Sequence, residues 1–425
     1  MQRSRQRTTI AFLLALFICL AVTARQVHKP NLADFQVYDA AAELVHEHRS
    51  IHMYDGADNE AVFQLKFADE QSPFGQAARH LGIDKVRLYI YPPILADFVL
   101  PFAFVSAATA GKLWDLLNLA AIFLIALLMA RELNLRPTSL GGLAVLLGLF
   151  ALFGTGMCLI WGQVTVLLLL LWMAGIHFYR RGWYAGSASV LAVATAIKLT
   201  PLLVIVPFLI WREWKWLRAY AVVLLACFVG MALVNTPASL TDYFFHVMPS
   251  MAGGGIPNFE NKSIPAAMQL LYVTLHGGAT QPVTMAIPTY IVTIGKAFSL
   301  AFVALAILCV YRVGFAMRGV DRRMTLALFA LLSACIAPIS WKHAYVVAFL
   351  PLGFFWAEAF RKQISGPRLT FLALCSIELG SFFFDSVATK ATHGILFGLL
   401  SFLAPAAGVL LVFHGLLRMR PAQTA

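Results

Sequence analysis

A carboxylate stands just past the first apolar run, in Ala33-Asp34-Phe35-Gln36-Val37-Tyr38-Asp39-Ala40-Ala41-Ala42-Glu43-Leu44. If this stretch is helical, Asp34, Val37, Tyr38, Ala41 and Leu44 share one face, because residues three and four apart are neighbours. An acid held against the hydrocarbon edge, backed by a phenol and small apolar groups, is suited to serve as a base on a membrane-bound substrate. Asp is equally a favoured helix N-cap, so both readings stand at this point. Asp39 is a reserve candidate, although its offset of five turns it to a different helical face.

Cations recur at two other places. Ala194-Thr195-Ala196-Ile197-Lys198-Leu199-Thr200-Pro201 lies in an apolar segment with basic turns on both sides. It must cross out and back within a short length, and the proline predicts two short helices meeting at Lys198. A lysine at the centre of a span costs about 2.5 to 3.5 kcal/mol on insertion scales, so it calls for an anionic partner in a lined cavity. Snorkelling to the interface is the alternative. Ser340-Trp341-Lys342-His343 supplies two further potential cations at a similar level. Gln163, in Trp161-Gly162-Gln163, is polar where an apolar residue would be cheaper, while Trp161 fits an ordinary interfacial belt.

The elements that must carry these groups are membrane helices. Of 425 residues, 60% are hydrophobic and only 12% charged, and mean hydropathy is +0.78, values that exclude a soluble domain of this size. The apolar runs are continuous rather than alternating, which selects helices over a closed barrel. The formal net charge of +12 does not point to nucleic acid, because the basic residues sit in turns between apolar runs. Arg131-Arg136, Arg180-Arg181, Arg212-Lys215-Arg218, Arg361-Lys362-Arg368 and Arg418-Arg420 follow the positive-inside rule and mark cytoplasmic turns. The expectation is an all-α polytopic membrane protein of about 10–12 transmembrane helices with a large first extracytoplasmic loop and both termini inside.

Three parts follow from this pattern. Residues 1–24 form an N-terminal transmembrane anchor, with a cleaved signal peptide as the alternative. Residues 25–91 form the first outer loop, which carries the candidate acid and is expected to hold amphipathic helices at the outer surface. Residues 92–425 form the multi-span domain, with a second outer loop at 235–287. In the first part of that domain, Ile94 to Val105 is too short to span and is expected to be re-entrant or tilted. Gly253-Gly254-Gly255 in the second outer loop fits a lid better than a phosphate cradle. His46-Glu47-His48 with His52 matches no zinc spacing and fits a solvated helix face. All six cysteines fall in or beside apolar runs with no CxxC pair, as buried thiols do. No metal and no cofactor is called for.

Taken in order, Asp34-Phe35-Gln36-Val37-Tyr38, Tyr91-Pro92-Pro93, Trp161-Gly162-Gln163-Val164, Ile197-Lys198-Leu199-Thr200-Pro201, Asn261-Lys262-Ser263-Ile264 and Ser340-Trp341-Lys342-His343 are similar to glycosyltransferase family 87, the DUF2029 group of polyprenyl-phosphate-mannose-dependent mannosyltransferases with the GT-C fold. The similarity runs from about Asp34 to His343. One departure is visible: the family often has two histidines after the Trp, where this chain has Lys342 and then His343. The resemblance implies a GT-C-like bundle in a bacterial inner membrane, with an extracytoplasmic site. It implies a polyprenyl-phosphate-linked sugar donor, a glycolipid or glycan acceptor, and transfer of a hexosyl residue, mannosyl above all, with inversion. Asp34 matches the family's acidic base. Lys198 and His343, with Lys342 as a further candidate, match its donor-phosphate contacts. Tyr38, Tyr91, Gln163 and Asn261 are expected to line the substrate cavity.

These residue types suit that chemistry. Cations aimed at the departing phosphate favour the transition state over the ground state, and a carboxylate opposite takes the acceptor proton. A transporter or flippase of a lipid-linked sugar would use the same cavity without making a bond, and would tolerate loss of the acid. A scaffold protein would leave Lys198 and Gln163 without a task.

Overall fold

The computed structural model describes residues 2–26, 31–57, 66–254, 256–277, 285–362, 364, 366–384, 387 and 395–419. Every regular element among them is a helix, and the extended pairings, Phe67 with Arg87 and Asn261 with Trp341, are isolated bridges. Asp58 and Glu60 of the first loop, Arg420 of the last basic turn, and Gly255 of the expected lid lie outside the described residues.

The chain begins with α1 (Gln2–Gln26), α2 (Ala33–His46), α3 (Pro73–His80) and α4 (Pro93–Val99). It continues through α5 (Ala107–Glu132), α6 (Leu140–Ala151), α7 (Phe153–Trp161), α8 (Thr165–Arg180), α9 (Tyr184–Ile197) and α10 (Ile205–Ile210). Then come α11 (Trp214–Val234), α12 (Pro237–Asp242), α13 (Met248–Gly254), α14 (Ile264–Leu275) and α15 (Thr289–Val313). The last group is α16 (Gly319–Ile336), α17 (Phe349–Lys362), α18 (Gly366–Ser381), α19 (Ile395–Leu400) and α20 (Leu403–Leu417). Hydroxyl caps fix several starts: Ser106, Ser139 and Ser263 each accept a hydrogen bond from the backbone N–H three residues on.

Six described helices are long and apolar enough to cross a membrane, and the bent pair α6–α7 makes a seventh. Five shorter apolar helices accompany them, so a count of ten to twelve requires some of these to traverse as well. The outer helices α11 and α15 turn almost their whole circumference outward; Val222, Leu225 and Leu233 on α11 are exposed. That pattern is what a lipid-facing helix requires. In contrast, α8, α16 and the span Lys342–Lys362 are largely buried and form the centre.

The stretch between α1 and α4 departs from expectation. Helix α2 is not an amphipathic surface helix: from Val37 to Val45 every residue is buried, Asp39 and Glu43 included. It packs against α3, α4, α5 and α7. Its composition explains this, because Ala40, Ala41 and Ala42 let neighbours close in on all sides. The segment at Ile94 to Val105 is a short helix, α4, continued by a 3-10 turn over Leu100–Phe104. Pro92 is extended and Pro93 opens the helix, the position where a missing N–H costs nothing.

Candidate functional site

The site is assembled around two breaks in membrane helices. The first is between α6 and α7, which meet at 61° across Leu152. Helix α7 ends at Gly162, whose φ of 70° is left-handed, and an added Cβ there would lie 2.6 Å from Phe35 Cβ. Glycine is therefore required twice over, by conformation and by the close approach of α2. The backbone N–H groups of Asn31 and Leu32 both donate to Ile160 O at 3.0 Å, and Trp114 Nε1 donates to Gly162 O at 2.7 Å. These bonds clamp the start of α2 onto the end of α7, which brings Asp34 to Gln163.

Asp34 lies in the first turn of α2, while the capping position is Leu32, with no side-chain cap. The N-cap reading of Asp34 is thus replaced by a tertiary contact: its carboxylate is hydrogen-bonded by the Gln163 side chain. The opposite end of that amide is fixed by phenols. Tyr38 donates to Gln163 Oε1 at 3.1 Å and Tyr91 approaches the same oxygen at 3.5 Å. With Oε1 accepting, Nε2 is left to donate to Asp34. Burial pushes the Asp34 carboxyl up to about 6, against the opposing pull of the Gln163 hydrogen bond and of the positive charges on Lys198 and Arg87. Burial also holds both phenols protonated.

The second break is at Lys198. Helix α9 stops at Ile197, Lys198 is extended, and a 3-10 turn over Thr200–Val204 follows, as the proline predicts. Lys198 Nζ lies 6.0 Å from the Tyr91 ring centroid, at the outer limit of a cation–π contact. It lines a small, partly open pocket bounded by Trp172, Thr200, Ser333, Ser340 and Ala344. Lys198 thus faces two ways, to the Asp34–Tyr91 group and to this cavity.

His343 sits in a 3-10 segment, Lys342–Ala348, that leads into α17. It is buried, and neither ring nitrogen has a hydrogen-bond partner among the described residues. A buried imidazole without partners is costly unless a ligand or water completes it. It lies within electrostatic reach of Lys198. Its ring meets Trp161 edge-on at 6.1 Å, so Trp161 turns toward the site and is not a simple belt residue. Gly154 permits this packing, because a Cβ there would stand 3.0 Å from Val346 N and 3.1 Å from His343 O.

The remaining expected site residues are engaged elsewhere. Lys342 is ion-paired to Glu260 at 2.9 Å. Asn261 spends its amide on structure: Nδ2 donates to Ile256 O and Pro338 O, and Oδ1 accepts from Ser340 N and Ser263 N. Together with Lys262 N to Ser340 O at 2.7 Å, these bonds tie residues 256–263 to the His343 segment. Asp39 is buried beside Glu43, whose charge adds to burial in pushing its carboxyl up to about 6, and no cation enters its balance.

The histidines of the first loop do not converge. His46 packs on Phe104, Glu47 pairs with Arg49, and His52 with Asp55. Among the described residues, the group with metal-compatible spacing is a different one, Glu43, Glu47 and His80. Sequence reasoning also missed Arg87, whose charge reaches Asp34 from the end of the first loop. The only sequence signal was its place shortly before Tyr91.

The glycosyltransferase family 87 model matches residues 89–340. An alpha-(1->3)-arabinofuranosyltransferase of Mycobacterium tuberculosis is 29% identical over 39% of this chain, a match that spans 38% of the relative's length. A polyprenol-phosphate-mannose-dependent alpha-(1-2)-phosphatidylinositol pentamannoside mannosyltransferase of the same species is 23% identical over 81% of this chain and 70% of its own length.

Proposed function

Because the chain belongs to glycosyltransferase family 87, we propose that it transfers a hexosyl residue, most specifically mannosyl, from a polyprenyl-phosphate donor to a glycolipid or glycan acceptor, with inversion, on the outer side of a bacterial inner membrane. The observation that carries this reading is the Asp34 carboxylate held by Gln163 within electrostatic reach of Lys198. Mannose is favoured over arabinofuranose because the mannosyltransferase relative aligns with twice as much of the chain.

In this mechanism the acceptor hydroxyl oxygen attacks the anomeric carbon while the bond from that carbon to the phosphate oxygen breaks. The hydroxyl proton passes to Asp34, and the bonding pair leaves with the phosphate. A base ionising near 6 is matched to neutral pH. Lys198 and His343 face the charge that grows on the leaving phosphate, in surroundings where such interactions count for more than in water. A phosphate oxygen would accept the hydrogen bond that His343 makes to no described residue. Tyr38, Tyr91 and Gln163 orient the base, and Lys342 and Asn261 hold the loop that carries His343.

The test is to incubate the purified protein with radiolabelled polyprenyl-phosphate-mannose and a membrane extract and to identify the labelled product. A parallel arm uses the arabinofuranosyl donor. Labelled glycan from the mannosyl donor, lost in Asp34→Asn while donor binding persists, is the expected result. Movement of intact donor between leaflets of reconstituted vesicles, undiminished in Asp34→Asn, would replace the transferase with a carrier.

A further inference from the structure

The span that begins at His343 ends at a second pocket. Glu358 follows fifteen residues later, which at helical rises places it roughly 25 Å away along the axis. There α17, α18 and α20 border a shallow, partly open cleft. One side carries Arg368, His414 and Arg418, with Glu358 as the sole acid in the lining. The other side is apolar; Ile364 and Phe371 are its part-exposed members, backed by buried Phe355, Leu372 and Leu411.

The charges in this cleft do not balance. Glu358 is shared: it pairs with Arg418 at 3.1 Å and with Lys362 at 3.2 Å. Asp321 lies near Lys362 and Arg318 and serves those two. Arg368 forms no ion pair with a described residue, yet stands close enough to His414 for their charges to interact. His414 itself is boxed by the rings of Phe355 and Phe371, at 5.9 and 5.2 Å. A single carboxylate thus faces two guanidinium groups at the end of a membrane span, beside a wall of aromatic and aliphatic side chains.

We propose that this cleft is a binding site for the headgroup phosphate of an anionic phospholipid from the leaflet on the basic side of the protein. Arg368 and Arg418 take the phosphate, and the apolar wall takes the first part of the acyl chains. Basic pockets between spans are suited to such headgroups, and a guanidinium is a better match to phosphate than an ammonium. A free phosphate would use the same arginines but would gain nothing from the wall, which is why a lipid is assigned. The site is independent of the transfer chemistry at the other end of the bundle.

Native mass spectrometry of the full chain, released from nanodiscs of phosphatidylglycerol or phosphatidylcholine, tests this. The wild type is expected to retain phosphatidylglycerol preferentially. Each removed charge should weaken retention about fivefold, so Arg368→Gln with Arg418→Gln should lose roughly 25-fold. Glu358→Gln removes the competing anion and should raise retention several-fold, a gain that misfolding cannot mimic. Equal retention of both lipids, or an unchanged response in both the double variant and Glu358→Gln, overturns the proposal. Displacement of the lipid by millimolar inorganic phosphate would make it a free-anion site instead.

Discussion

Helix α8 joins two buried clusters of charge that are handled in opposite ways. At its C-terminal end Glu132 is wholly buried, and its carboxylate is shared by His177, Arg180 and Arg323. Next to it Glu213 is held by Arg322 and Tyr179. Here α5, α8, α11 and α16 are tied together and the carboxylates are fully engaged. At the N-terminal end of α8, beside Gln163, the balance is left open. Asp34 is contacted by an amide and only reached at a distance by Lys198 and Arg87. Neither ring nitrogen of His343 is hydrogen-bonded among the described residues. Both clusters cost desolvation, but only the first recovers it inside the protein. A protein that leaves polar groups unmatched in one place and matches them in another marks the first for something that arrives from outside.

The contrast is sharpest under mutation. Asp34→Asn is expected to leave folding intact and reduce transfer by about 10² to 10⁴, measured as initial rate per folded molecule. Retention of half the rate would remove Asp34 from the chemistry. Glu132→Gln should do the reverse. Breaking a buried pair costs about 3 to 5 kcal/mol, so thermal unfolding should drop markedly while the rate per folded molecule holds. If it also abolished transfer at full stability, the division between the two clusters would be wrong.

His343→Ala is expected to cost about 10² to 10³ in turnover, as for other donors aimed at developing charge, with no more stability loss than its packing against Trp161 explains, since no hydrogen bond to a described residue is lost. A destabilised but active variant would make it a packing residue. The pH profile follows from the raised Asp34 carboxyl. A base must be unprotonated, so the rate should fall about tenfold per unit below pH about 6 and be level above it. A flat profile from pH 4.5 to 7.5 would exclude it as the base. The smallest effect is expected for Glu260→Gln. It releases Lys342 from a partly exposed pair, a contact of at most about 1 kcal/mol, and should alter transfer by less than fivefold.

The sequence already carried the helical class, because continuous apolar runs leave the backbone no other way to satisfy itself in lipid. It carried the break at Lys198 as well, because proline cannot extend a helix, and it carried Asp34 and Gln163 as polar residues in expensive places. It could not say that these two touch. That contact depends on Gly162 admitting Phe35 and on two backbone bonds to Ile160, which link positions more than a hundred residues apart. Nor could it separate Lys198, which stays open to a cavity, from Lys342, which a carboxylate on another loop neutralises. Residue type sets which groups are costly to bury; only the packing of distant segments decides which of those costs are met within the protein and which wait for a ligand.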